Sequence, residues 1–147
     1  ATGGKVYVHG VAGDRFAVRN SGATTVVEGV GLHACEYMTN GTVVILGGAL
    51  QNVGAGMTGG IIYSFESLHA VINKNYLVQD KLLPEKMEFL HLLLKDYQQH
   101  TGSLKAQQIL NNWGQSINTL EVYIPKFEYL QRKLLEESKS ERSQQAG

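Results

Sequence analysis

The chain has 147 residues, with 13 basic and 13 acidic side chains, five His, a single Cys and 17 Gly. That length accommodates one domain, or one domain with a helical appendage. A charged fraction of 18% at zero net charge leaves no field to hold nucleic acid or an anionic membrane, one Cys excludes an internal disulfide framework, and no apolar run approaches the roughly 20 residues that span a bilayer.

Composition divides the chain in two. Fourteen of the 17 Gly lie in residues 1–60, whereas 19 of the 26 charged residues follow Glu66. Glycine disfavours helix by about 1 kcal/mol relative to alanine, so the first part is not helical. Setting residues 3–22 (GGKVYVHGVAGDRFAVRNSG) over residues 22–41 (GATTVVEGVGLHACEYMTNG) superposes Gly3 on Gly22, Gly10 on Gly29 and Gly22 on Gly41, an offset of 19. Residues 40–59 (NGTVVILGGALQNVGAGMTG) follow at an offset of 18, with Gly47 under Gly29 and Gly59 under Gly41. A period near 20 with glycine at fixed places is the mark of a solenoid whose units stack only on their neighbours.

Within each unit the alternation of residues separates two faces. Val6 and Val8 are expected over Thr25 and Val27, then Val43 and Ile45, then Ile61 and Tyr63. The other face carries Lys5, Tyr7 and His9, then Thr24, Val26 and Glu28, then Thr42, Val44 and Leu46, and charge belongs there because a buried unpaired charge is costly. A second strand in each unit should form an inward ladder of Phe16 over Cys35 over Val53, and of Val18 over Tyr37 over Ala55. The predicted fold is a right-handed parallel β-helix over residues 1–66, three coils plus the first strand of a fourth. Its near end carries no cover before Lys5, and an unpaired strand edge needs a partner.

After Ser64 the spacing becomes helical. Pro84 suits a first turn, and Met87, Leu90, Leu94 and Tyr97 follow at steps of three and four, with Gly102 near the end. Adjacent Leu92, Leu93 and Leu94 cannot share one side, which points to a helix buried on more than one face or docking a partner. Ser103 is placed to cap a second helix carrying Ala106, Ile109, Leu110 and Trp113, stopped by Gly114. Glu121 to Ile124 reads as extended, and Pro125 leads into a third helix with Phe127, Leu130 and Leu134 inward. Residues 67–137 thus form a C-terminal helical extension, and the wholly polar residues 138–147 are expected to be disordered.

Few motifs suggest chemistry. Gly54-x-Gly56-x-x-Gly59 matches a dinucleotide fingerprint literally, but a strand pattern follows it where a phosphate site needs a helix start. His33 and Cys35 are two apart, yet zinc takes three or four protein ligands, and Cys35 falls on the inward ladder as a structural thiol. His9 with Glu28, and Asp14 with His33, read as cross-coil ion pairs, because no companion nucleophile accompanies them. Asn40-Gly41-Thr42 fits a glycosylation sequon and also a turn between coils. No catalytic, cofactor-binding or metal-binding residue is therefore assigned.

Residues 13–31 (GDRFAVRNSGATTVVEGVG), 35–41 (CEYMTNG) and 55–60 (AGMTGG) closely resemble the carboxy-terminal β-helical domain of the glutamate synthase large subunit. His100-Thr101-Gly102-Ser103, Ile109-Leu110-Asn111-Asn112-Trp113 and Ile124-Pro125-Lys126 are similar to that family's tail, so the likeness spans about residues 3–134. Leu32 and Ala34 depart from its usual Asp and Gly, and residues 64–83 from its acidic connector. The resemblance implies a structural, non-catalytic domain that scaffolds the glutaminase and FMN domains. Those domains make glutamate from glutamine, 2-oxoglutarate and electrons supplied by ferredoxin or a small nicotinamide-dependent subunit. It implies FMN and a 3Fe-4S cluster elsewhere in the enzyme, none in this segment, and a cytoplasmic location or, in a photosynthetic eukaryote, the plastid stroma. An opposing reading from the enzyme class is a left-handed hexapeptide acyltransferase with His33 as general base, supported by Val6, Ala12 and Val18 at steps of six but broken by Thr25, Gly31 and Tyr37. A second related possibility is the Gly-rich solenoid subunit of formylmethanofuran dehydrogenase, also non-catalytic.

Overall fold

The computed structural model describes residues 4–11, 21–32 and 34–146. Its order is β1 (Lys5–Val11), β2 (Ser21–Leu32), β3 (Asn40–Ile45), β4 (Ala49–Gln51), β5 (Ile61–Ser64), β6 (Leu77–Asp80), α1 (Pro84–Thr101), α2 (Leu104–Asn111), α3 (Trp113–Asn118), β7 (Glu121–Pro125) and α4 (Lys126–Ala146). The architecture is mixed α/β.

Valine-rich strands at a fixed interval stack in parallel. Val6 lies beside Thr25 and Val8 beside Val27. Thr25 and Val27 in turn lie beside Val43 and Ile45, as the repeat requires. The next step differs, because Val43 pairs with Ile62 and Ile45 with Ser64, one residue beyond the expected Ile61 and Tyr63. The interval here is 19 residues: Gly60, with φ +90°, takes the place under Gly41, with φ +101°, that the 18-residue offset assigned to Gly59. Gly59 itself passes so close to the preceding winding that a Cβ there would strike the Thr39 carbonyl.

One face of this stack builds a core of Val27, Val43, Ile45 and Ile62 with Cys35, Met38, Val53 and Met57. The ladder of Cys35 over Val53 is buried as expected, while Phe16 and Val18 lie outside the described residues. Tyr37 does not join it. The backbone turns at Cys35 and Tyr37, which take φ of 60° and 55°, so no second strand forms there and Tyr37 stays 54% exposed. Hydrogen bonds still run between windings, from Gly54 N–H to Ala34 C=O at 2.8 Å and from Tyr37 N–H to Ala55 C=O at 2.9 Å. Val53 also bonds to the segment after Glu66, its N–H donating to Val71 C=O at 2.9 Å and its C=O accepting from Asn73 N–H at 2.8 Å.

The opposite face was expected to carry charge in water. Its middle is instead apolar and covered: Val26, Val44, Leu46 and Tyr63 pack against Leu90, Leu93, Leu94 and Tyr97 of α1 and Ala106 and Ile109 of α2. Burial of these side chains, about 1.5–3 kcal/mol each for the larger ones, holds the helices on the sheet. Leu93 and Leu94 both enter this core and Leu92 stays outside. The far end is closed by β7, which runs antiparallel to β5 and β6, so that Tyr123 pairs with Ile62. Among the described residues nothing pairs with the outer edge of β1.

Pro84 opens α1, and Gly102 ends it in the left-handed region at φ +68° with its N–H on Gln98 C=O. Ser103 caps α2 as predicted, accepting from Ala106 N–H. Gly114 stops nothing. The break comes at Asn112, and Gly114 lies inside α3 without the positive φ that a helix-ending glycine takes. Phe127, Leu130 and Leu134 of α4 are exposed, opposite to expectation, and the side of the helix turned to the body of the protein carries Arg132, 3.0 Å from Asp80. The polar run from Ser138, expected to lack structure, continues α4 to Ala146, since its Lys, Glu, Arg and Gln residues extend an existing helix at little cost.

Candidate functional site

Among the described residues, a cluster of polar side chains lies where α1 turns into α2 against β1 and β2. Alternation along β1 places Tyr7 and His9 on the helix-facing side, and the winding sets Glu28 beside them. Three hydrogen bonds cross the gap. Tyr7 OH donates to Asp96 Oδ2 at 2.6 Å, Tyr97 OH to Val8 C=O at 2.5 Å and Ser103 OH to Glu28 Oε1 at 2.5 Å. His9 Nε2 stands 3.6 Å from the same Glu28 oxygen, which is the cross-coil pair expected from the repeat. His100 reaches Asp96 at 3.4 Å, and the Tyr7 ring meets Tyr97 edge-on with centroids 5.4 Å apart.

The electrostatics follow from this geometry. Burial, helped by the bond to Asp96, pushes the Tyr7 phenol far above its ordinary range. Burial and the Glu28 charge raise Tyr97 to about 12. The Tyr7 bond, with His100 and Lys5 nearby, holds Asp96 below the usual carboxylate range against the opposing effect of burial. The Tyr7 phenol thus donates to Asp96, the Tyr97 phenol to the Val8 carbonyl and the Ser103 hydroxyl to Glu28. This arrangement joins β1 and β2 to the turn between α1 and α2.

A second joint works alike at the far end. Glu121 of β7 accepts from Leu68 N–H at 2.8 Å and from Tyr123 OH at 2.5 Å, tying the last winding to the closing strand. Burial drives the Glu121 carboxyl upward, but the bonds from Tyr123, Leu68 and Ser67 outweigh it and leave it below its ordinary value.

The other motif residues fall apart as a site. Gly54 and Gly56 sit in a turn with φ of 83° and 70°, and β5 rather than a helix follows. Cys35 is fully buried, which pushes its thiol up to about 12. His33 and Asp14 lie outside the described residues, and so does the His33 of the acyltransferase reading. Asn40 opens β3 next to Ser21 of β2. An open groove of about 570 Å3 lies between α4 and the segment after β6, lined by Gln79, Asp80, Leu83, Tyr129, Arg132 and Glu136. Lys81 and Lys133 line it too, and two ion pairs lie along it, Arg132 with Asp80 at 3.0 Å and Lys133 with Glu136 at 3.8 Å. Among the described residues no helix is long and apolar enough to cross a membrane.

Comparison with known proteins adds the lineage. Residues 1–126 match the model of the GXGXG motif family. The chain belongs to that family. It is 45% identical over 139 residues to a ferredoxin-dependent glutamate synthase of Antithamnion sp., covering 92% of this chain and 9% of the relative. It is 41% identical over 131 residues to the glutamate synthase [NADPH] large chain of Bacillus subtilis, with 86% and 9% covered. A glutamate synthase [NADH] of Schizosaccharomyces pombe is 42% identical over 130 residues, with 86% and 6% covered. The chain thus spans about a tenth or less of the length of these relatives.

Within the GXGXG match lie both joints: Tyr7, Glu28, Asp96, Ser103 and Glu121 all precede residue 126. Sequence reasoning had seen Ser103 as a helix cap and Glu28 as a partner of His9. It missed their bond across 75 positions, for which no local signal exists. The α4 helix starts at Lys126, where the family match stops.

Proposed function

We propose that this chain is a structural, non-catalytic domain of a glutamate synthase, the enzyme that converts glutamine, 2-oxoglutarate and reductant into two glutamates. Its stacked strands are coils of a right-handed parallel β-helix, and the helices after it form a buttress. The domain scaffolds the glutaminase and FMN domains, with electrons arriving from ferredoxin or a nicotinamide-dependent partner, in the cytoplasm or a plastid stroma. The observation that carries this reading is the use of the part-buried polar groups. Tyr7, Glu28, Asp96, Tyr97 and Ser103 all engage one another or backbone across element boundaries, which is what a frame requires.

FMN and a 3Fe-4S cluster belong, on this reading, to other parts of the enzyme, and the residues here do not fit them. Such a cluster takes thiolate ligands, and the one Cys is buried with its thiol pushed up to about 12. The glycine turn at Gly54 and Gly56 leads into a strand and offers no helix N-terminus to a flavin phosphate.

The test uses the isolated chain and a glutamate synthase from which the matching segment has been deleted. The chain alone is expected to release no ammonia from glutamine and to leave FMN fluorescence unquenched. Added to the deleted enzyme, it is expected to restore glutamine-dependent glutamate formation. Turnover or flavin uptake by the isolated chain, or failure to complement, overturns the proposal.

A further inference from the structure

Helix α4 is amphipathic with its faces reversed. At 100° per residue, Phe127, Leu130 and Leu134 fall within about 60° of one another, with Leu135 beside them. These four are 70%, 50%, 65% and 62% exposed. On the opposite side, Tyr129, Arg132 and Glu136 line the groove against the body of the protein, where Arg132 binds Asp80 and its guanidinium lies over the Tyr129 ring. The polar side of the helix is therefore the anchored one, and the apolar side faces outward.

The exposed stripe amounts to on the order of 400 Å2 of apolar surface, at the size where a patch on a lone soluble protein marks a contact. Flanking charges indicate what covers it. Lys126 and Glu137, both exposed, bracket the stripe along one flank, about 16 Å apart along the axis. On the other flank Glu128 comes first and Lys139 last, also exposed and of reversed polarity. A second α4 laid antiparallel over the stripe sets Lys126 against Glu137 and Glu128 against Lys139, so that both flanks pair opposite charges.

We infer that α4 is a self-association surface, pairing two copies of this chain antiparallel through Phe127, Leu130 and Leu134. The inference stands on the geometry of α4 and does not need the glutamate synthase reading. A stable dimer buries about 800 Å2 per partner, so a stripe half that size with a charged rim gives weak, reversible pairing in the tens of micromolar.

Sedimentation equilibrium of the full 147-residue chain tests it. A monomer–dimer equilibrium is expected, weakened at least tenfold in the double variant Leu130→Glu, Leu134→Glu with unchanged circular dichroism, since both side chains are exposed in the monomer. Lys126→Glu alone is expected to weaken pairing, and adding Glu137→Lys to restore it, because the two charges then exchange places. Three results overturn the inference: a monomer at about 200 µM, a dimer indifferent to the leucine changes, which would place the contact on the open β1 edge, or a charge exchange that fails to restore pairing.

Discussion

Three glycines that look alike in the sequence should respond to alanine in three different ways, and Gly59 is the decisive one. A methyl group at Gly59 would run into the Thr39 backbone carbonyl of the winding above, and backbone cannot rotate away as a side-chain tip can. Relief requires the two windings to part. Overpacking of this kind costs about 1–3 kcal/mol. The bonds that Thr58 N–H and Gly59 N–H donate to Met38 C=O, at 3.0 and 3.3 Å, lie at the point of separation, and each is worth about 0.5–1.5 kcal/mol. Gly59→Ala should therefore destabilise the protein by about 3 kcal/mol, a large part of the 5–15 kcal/mol of a typical domain. Gly102 meets nothing within 4 Å but has φ +68°, so alanine there costs only the left-handed backbone, about 1–2 kcal/mol. Gly114 is exposed in α3, meets nothing within 4 Å and has no positive φ, so alanine should stabilise by up to about 1 kcal/mol. Urea unfolding followed by Trp113 fluorescence ranks the three, since Trp113 packs on Phe65 at 6.0 Å. With a slope of about 2 kcal/mol per molar, the Gly59 midpoint should fall by about 1.5 M. A Gly59→Ala protein within about 0.5 kcal/mol of its parent would refute close stacking of the windings at that turn.

The joint between sheet and helices yields two further expectations. Ser103→Ala removes both the α2 cap and the hydroxyl that Glu28 accepts, and should cost about 2 kcal/mol. A double-mutant cycle with Glu28→Gln should show coupling above about 0.5 kcal/mol, and strict additivity would mean the bond contributes nothing. The pH limits follow from the groups on either side. Asp96 has its folded pKa below the ordinary 3.8, so its contribution is present above that value and disappears as pH falls through the lowered one. Tyr7→Phe should accordingly flatten the acid limb of a stability–pH curve. Tyr63 and Tyr97, raised from 10.0 to about 12 chiefly by burial, contribute fully below pH 10 and lose that contribution between 10 and 12. A phenolate absorbance titration in which every tyrosine ionises near pH 10 while the fold persists would contradict this.

The parallel stacking of β1 on β2 and β2 on β3 was legible because a repeat states its own register: Val8, Val27 and Ile45 align by counting glycines. The same count failed at β5 because two adjacent glycines, Gly59 and Gly60, were both available, and only the backbone decides which one occupies the positive-φ position and which passes close to Thr39. Tyr37 was misplaced for a related reason, since an inward-ladder reading assumes strand geometry and cannot see a residue held at φ 55°. Helix starts were local and therefore readable, from Pro84 and from Ser103.

What escaped was everything that depends on elements far apart in sequence finding each other. An amphipathic pattern says that a helix has an apolar side but not that this side is the one buried. In α1 the rule held, because Leu90, Leu93, Leu94 and Tyr97 met an apolar sheet face of Val26, Val44 and Tyr63. In α4 it failed: the side turned to the surface beside β6 carries Arg132, 3.0 Å from Asp80, and the apolar side is left exposed. The candidate joint shows the same logic from the polar side. Nothing near Glu28 in the sequence calls for Ser103, yet once apolar burial sets α1 on the sheet, the turn after Gly102 carries that hydroxyl to the carboxylate. Apolar packing thus places the helices, and Tyr7, Glu28, Asp96 and Ser103 then fix their register, which is why removing one of these polar partners should loosen the joint without dissolving either core.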